Sequence, residues 1–233
     1  MKNFHISKFH DKFGVDPNLA FWISMIKESQ KVVRKNHNKK ILDFGCGNGK
    51  FLHLYDLMDE FSEGYGIDLN EKLIKKAKET NQNKKIKYFL SDENFFKNKQ
   101  KFFDVIFSQE VIYTIKDLNL HAKIIFNALK KGGFYFATIG SHIQNPLWSK
   151  RREILKEDFK NGTINYYPYD YSLDEIANIF YNAGFEVGLK RLPVEYFLIY
   201  HPKITPEFSN SFYDLVETTY ENKMLFLFWK PYE

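Results

Sequence analysis

The stretch ILDFGCGNGKFL, residues 41–52, sets three glycines at every second position between an apolar run and a helical pattern. KILDF (40–44) is short and apolar, as a strand should be, and FLHLYDLM (51–58) resumes apolar residues at helical spacing. A chain that passes from strand to helix through so tight a turn builds strand-helix units. Few architectures other than an open α/β sheet accommodate them.

The alternation continues along the chain. EGYGIDLN (63–70) reads as a strand ending in an acid, and Asn70 caps EKLIKKAKE, whose Leu73, Ile74 and Ala77 share a face. KIKYFLSD is a third strand and FFDVIFSQE a fourth. A helix is expected from about Asp117 to Lys130, presenting Leu120, Ile124 and Leu129 and stopped by Gly132 and Gly133, before FYFATIG as strand five. Ser172 and Glu175 make a capping box ahead of Ile176 and Phe180, with Gly184 as terminator; FEVGLKRL and MLFLFWK then supply strands six and seven. Ahead of everything, Asp16 and Pro17 form a cap and first-turn pair for a helix to about Arg34. The order predicts a doubly wound, mostly parallel sheet with right-handed crossovers and helices on both faces.

At 233 residues the chain suits one domain over 1–233, with a helical cap at about 1–37. Residues 141–171 and 193–222 break the alternation and are expected as insertions. In such a sheet the strand-to-helix loops gather at the carboxyl edge, where ligands bind, so both insertions should overhang one site.

Charge and cysteine content narrow the partners. Cys46 is the only cysteine, the basic N-terminus lacks an apolar leader core, and no run of about 18 apolar residues occurs. The expectation is a cytoplasmic protein without membrane contact. Net charge is +5, yet only four of the 34 basic residues are arginines, and the lysines interleave with acids except for a denser basic run at 31–40. Duplex readers lean on arginine forks, so a solvated lysine surface is favoured over a nucleic-acid footprint.

The glycine turn departs from the dinucleotide pattern GxGxxG, which needs glycine where Lys50 stands. Asp43, just ahead of the turn, would repel a pyrophosphate and suits an ammonium. Asp68 ends strand two, where a carboxylate can accept from both ribose hydroxyls. Ser91 and Asp92 end strand three, where a carboxylate can accept from an adenine amine, and Ser108 and Gln109 put polar groups at the end of strand four.

Together these segments resemble the class I, seven-stranded S-adenosylmethionine-dependent methyltransferases over roughly residues 38–190 and the last strand. DFGCGNG matches the family's glycine motif, GIDLN its acidic motif, SD its adenine motif, and FDVIFSQEVIYTI its fourth; LKKGGFYFATIG resembles the approach to strand five. The resemblance implies S-adenosyl-L-methionine as cofactor, S-adenosyl-L-homocysteine as product, strand order 3-2-1-4-5-7-6 with strand seven antiparallel, and no metal. It implies that Asp43, Gly45 and Gly47 surround the methionine part, with Cys46 between them as a small filler. Asp68 and Leu69 would hold the ribose, Asp92 and Glu93 the adenine, and Ser108 and Gln109 would lie toward the methionine end. Asn145-Pro-Leu-Trp148 is similar to the motif of enzymes that methylate nucleic-acid amines, but it follows strand five and lacks their second proline, so DNA base methylation is discounted.

A sulfonium methyl is already electrophilic, so the protein must align a nucleophile and exclude water; alignment can contribute on the order of 7–11 kcal/mol. A hydroxyl acceptor also needs a base. His142, just after strand five, is the first candidate, with Glu110 and Tyr113 after strand four as alternatives. Trp148, Arg151, Tyr196, Tyr200 and His201 in the insertions are candidate substrate contacts. The reading is methyl transfer to a small polar metabolite, with oxygen, on a carbohydrate or related intermediate, ahead of nitrogen. Its alternatives are an RNA or protein methyltransferase and a non-catalytic, cofactor-binding regulatory subunit. A nicotinamide oxidoreductase is the least favoured reading, because of Asp43 and the absent third glycine. Oligomeric state is not legible.

Overall fold

The computed structural model describes residues 18–92, 94–193 and 223–232. Asp16 and Pro17, Glu93, and most of the second insertion, with Tyr196, Tyr200 and His201, lie outside the described residues. The elements in chain order are α1 (Leu19–Gln30), β1 (Lys40–Phe44), α2 (Lys50–Met58), β2 (Glu63–Asp68), α3 (Glu71–Thr80), β3 (Ile86–Leu90) and β4 (Phe103–Gln109). After a 3₁₀ turn at Ile112–Thr114 come α4 (Leu118–Ala128), β5 (Leu129–Ile139), α5 (Trp148–Lys160), α6 (Leu173–Asn182), β6 (Glu186–Arg191) and β7 (Met224–Trp229).

One seven-stranded sheet has the order β3-β2-β1-β4-β5-β7-β6. Neighbours among β1 to β5 run parallel, and β7 runs antiparallel to both β5 and β6. Successive side chains of a strand point to opposite faces. In β1 and β4 this sends Ile41, Val105 and Phe107 into one apolar layer with α1, α2 and α3, and Leu42 and Ile106 into the other with α4 and α6. Such runs, apolar on both faces, are what a covered parallel sheet requires.

Three boundaries differ from expectation. α1 ends at Gln30, not near Arg34, because its last turn tightens: Lys31 N–H donates to Glu28 O and Val32 N–H to Ser29 O. α4 stops at Ala128, and Gly132 and Gly133 lie inside β5 instead of ending the helix. Leu129 pairs with Phe103 and Phe134 with Val105, so the intervening β5 residues bulge outward, with Gly132 at φ +77°. The buried face of α4 is Leu118, His121, Ala122 and Ile125, whereas Leu120 is 54% exposed.

Capping follows the side chains named from sequence. The Asn70 amide oxygen accepts from Lys72 and Leu73 N–H, and Ser172 and Glu175 form the full capping box of α6. Aligned in this way, β1, β2, β3 and β4 bring their carboxyl ends to one edge.

Candidate active site

Gly45, Gly47 and Gly49 have φ of +79°, +54° and +85°, in the left-handed region that glycine adopts without cost. This bends the chain so that Gly45 and Cys46 N–H both donate to Ile67 O, at 2.8 and 2.9 Å, and Gly47 N–H donates to the Asp68 carboxylate at 2.9 Å. A phosphate cradle needs such donors aimed outward. Here they are spent on β2, so the loop is a brace. A Cβ at Gly45 would lie 2.5 Å from Val111 Cγ2, which shows how closely the loop packs on the segment after β4.

Asp68 is fixed by two backbone donors, Gly47 N–H on one oxygen and Asn70 N–H at 2.8 Å on the other. Behind it, Asp43 is only 2% exposed; burial first, then the charge of Asp68, push its carboxyl up to about 8. Burial also pushes the Cys46 thiol far above its usual range, which fits a filler and not a nucleophile.

A cavity of about 440 Å³ opens at this edge. Its wall includes Gly45, Asp68, Leu69, Gln109 and Glu110 of the residues named from sequence. Others stand elsewhere. Ser108 is buried behind the wall, its hydroxyl 2.7 Å from that of Tyr135. Asp92 is exposed, and one of its oxygens accepts from Asn94 and Phe95 N–H; Ser91 lines the cavity instead. His142 is 1% exposed and outside the wall, its carbonyl accepting from Asn145 N–H. Asn145 bonds Gly140 O and Leu147 N–H, the work of a turn.

Glu110 occupies left-handed backbone at φ +55°, rare for a residue with a Cβ. Its carboxylate accepts from Gly140 N–H at 2.7 Å, from the Ser141 hydroxyl at 3.3 Å, and from Lys223. Burial pushes its carboxyl up, but the nearby charges of Lys223 and Arg151 outweigh that and hold it below the usual range. Arg151 thus lies near enough to Glu110 for its charge to act there, though outside the cavity wall, whereas Arg152 pairs with Asp170. Tyr113 is buried edge-on against Trp148, with centroids 5.4 Å apart, and hydrogen-bonds Tyr166, which lines the cavity. The indole N–H of Trp148 donates to Asp170 at 2.8 Å. The first insertion therefore packs on the tip of β4.

His121 and Asn165 also line the cavity and were not singled out from sequence. For His121 a signal existed, since it falls on the buried stripe of α4 at helical spacing from Leu118 and Ile125. Burial drops its imidazole to about 3, so it is neutral near pH 7, and Nε2 lies 3.4 Å from the Tyr135 hydroxyl. Asn165 sits in an irregular loop with no periodicity to mark it.

A seven-stranded sheet of this order, with a glycine brace and an acid at the second strand tip, defines a class I methyltransferase fold. The methyltransferase domain family matches residues 35–184, and the chain belongs to this S-adenosylmethionine-dependent family. A ubiquinone biosynthesis O-methyltransferase of Pelagibacter ubique is 34% identical over 124 residues, covering 52% of this chain and 49% of that protein. The chain spans about half the length of the curated relatives it matches. An S-adenosylmethionine-dependent methyltransferase of Mesorhizobium loti aligns at TM-score 0.65 and 18% identity, over 90% of this chain and 97% of that one. A chain from the complex between the Haloferax volcanii Trm112 methyltransferase activator and a methyltransferase aligns at 0.73 and 15%, over 97% and 96%. Among the described residues no helix is long and apolar enough to cross a membrane.

Proposed function

We propose that this chain, acting as one domain in the cytoplasm, transfers the methyl group of S-adenosylmethionine to an oxygen of a small polar metabolite. The observation that carries this is the meeting of two acids from separate strand tips, Asp68 and Glu110, on the wall of one cavity. The wall suits the cofactor: Asp68 offers lone pairs to vicinal hydroxyls, and Ile67, Leu69 and Val111 offer apolar surface to a flat base, while Asp43, buried behind the wall, adds an acid that suits a cation. Bound S-adenosylmethionine supplies an electrophilic methyl on a sulfonium. The chain's own residues hold it, exclude water and manage the acceptor proton.

Of the three base candidates, Glu110 faces the cavity, so the role goes to it, with Tyr113 and His142 behind the wall as support. A carboxylate held low is a weak base, matched to a hydroxyl that is itself acidic. This favours a phenol-like or enol-like hydroxyl over the alcohol of a sugar. The O-methyltransferase among the relatives supports oxygen over nitrogen. Trp148, buried and outside the cavity wall, supports Tyr113 and does not contact substrate, whereas Arg151, whose charge reaches Glu110, suits an acceptor carrying an anionic group.

The test is a methyl-transfer assay on phenols, sugars and amines, with cofactor affinity measured by calorimetry. Glu110→Gln should lower kcat by about 10²-fold at unchanged cofactor affinity; an unchanged kcat removes the role. His142→Ala should leave the rate near wild type, and a large loss would return the role to His142. A second reading, methylation of an RNA or protein with an activator subunit, is favoured by the likeness to the chain from the Trm112 complex. Activity appearing only with such an activator, with steep salt dependence on RNA, would select it.

A further inference from the structure

We propose a second ligand site at the amino edge of the sheet, built for a small organic anion that carries a planar ring. It is independent of the methyl-transfer reading. A cavity of about 370 Å³ opens there between the segment after α1 and the bulge of β5, within the size range of small-molecule pockets. Among the described residues it shares no wall residue with the cavity at the carboxyl edge. Lys39, just ahead of β1, and Asp104, near the start of β4, stand on this side, whereas Phe44 and Gln109 close the same strands on the other.

One side of the cavity is cationic. Arg34 comes from the basic run at 31–40, and Lys130 and Lys131 from the β5 bulge. Among the described residues the only acid in its wall is Asp104, which pairs with Lys130 at 2.7 Å and accepts from Lys40 N–H at 2.8 Å. Lys39, also in the wall, is buried and pairs with Asp59 at 2.5 Å. That leaves Arg34 and Lys131, both exposed, without a carboxylate partner among the described residues. Two uncompensated cations on one concave surface attract an anion, and Arg34 has the planar fork that suits phosphate or carboxylate oxygens.

Another part of the wall is aromatic. Phe134 and Trp229 stack with centroids 6.4 Å apart and an interplanar angle of 22°, and Tyr232 stands edge-on to Trp229 at 6.1 Å. Tyr232 is seated on Gly132, where a Cβ would meet the ring at 2.5 Å and φ is +77°. The bulge therefore does two things: it lifts Lys130 and Lys131 out of the sheet and makes the seat for the ring. Cations and a ring ladder in the wall of one small cavity call for a ligand with both a negative group and a flat apolar body.

Calorimetric titration of the full chain with para-nitrophenyl phosphate tests this, run with and without saturating S-adenosylhomocysteine so that the carboxyl-edge site is filled in one arm. Wild type should bind saturably in both arms, with inorganic phosphate and para-nitrophenol each binding at least about tenfold more weakly. Arg34→Glu with Lys131→Glu should weaken binding at least about tenfold while melting temperature and S-adenosylhomocysteine affinity stay at wild-type values. The milder pair Arg34→Gln and Lys131→Gln should fall between, and Trp229→Ala should lose the preference for the ester over phosphate. Absence of saturable binding, equal affinity after charge reversal, or competition by S-adenosylhomocysteine would each overturn the site. Phosphate binding as well as the ester would overturn the ring half of the proposal.

Discussion

Glu110 holds a conformation that costs roughly 1–2 kcal/mol in a residue with a Cβ, and the structure offsets this with three donors to one carboxylate. The most exposed to test is Lys223, which enters from the residue ahead of β7 and also covers the Phe21 ring at 4.9 Å. Lys223→Met keeps the stem length but strands a part-buried charge. It should cost about 1–3 kcal/mol in urea denaturation; no loss would mean solvent already screens the pair. Gly45 is constrained by different physics. Alanine there meets both the positive φ and a 2.5 Å approach to Val111, so Gly45→Ala should lose about 1–3 kcal/mol and weaken cofactor binding at least tenfold. Wild-type affinity in that variant would show that the loop can shift without harm and is no brace.

At the scale of elements, the cap of α6 separates stability from chemistry. Ser172 accepts from Glu175 N–H at 3.0 Å at an exposed helix start outside the cavity wall. Ser172→Ala should therefore cost about 1 kcal/mol in the denaturation midpoint and leave cofactor affinity unchanged; a change in affinity would mean α6 reaches the site. Such caps were legible because Asn70 and Ser172 act on neighbours in sequence. The strands were legible because each is an apolar run bounded by turns, and their common edge follows from parallel order. The β5 bulge was not, since it depends on Leu129 reaching across to Phe103, a pairing with β4 that local pattern does not carry. Reading Gly132 and Gly133 as a helix stop used the right residue type for the wrong element. The site shows the same division. Gly45 and Asp68 were readable from their spacing, while Asp92 turned to its own backbone and His121 joined the wall through the rotation of α4, which only packing sets.

For the molecule as a whole, two buried groups give stability opposing dependences on pH. His121 has its proton affinity lowered from 6.5 to about 3, so between those values the unfolded chain binds more protons and stability rises with pH. Asp43 is raised from 3.8 to about 8, so the folded chain binds more protons across that window and stability falls as pH rises. Below about pH 6.5 the two slopes offset each other; from there to about 8 Asp43 acts alone, at no more than about 1.4 kcal/mol per pH unit. The melting temperature of the protein alone should fall from pH 6.5 to 8, and Asp43→Asn should flatten that fall. A cationic ligand beside Asp43 favours its ionised form, so cofactor binding at pH 7 should release a proton. Calorimetry in two buffers of different ionisation heat would read this release, and it should vanish in Asp43→Asn. Equal heats in both buffers for wild type would mean that Asp43 is already ionised, or that the ammonium of the cofactor lies elsewhere, and the brace would then need another cause for its buried acid.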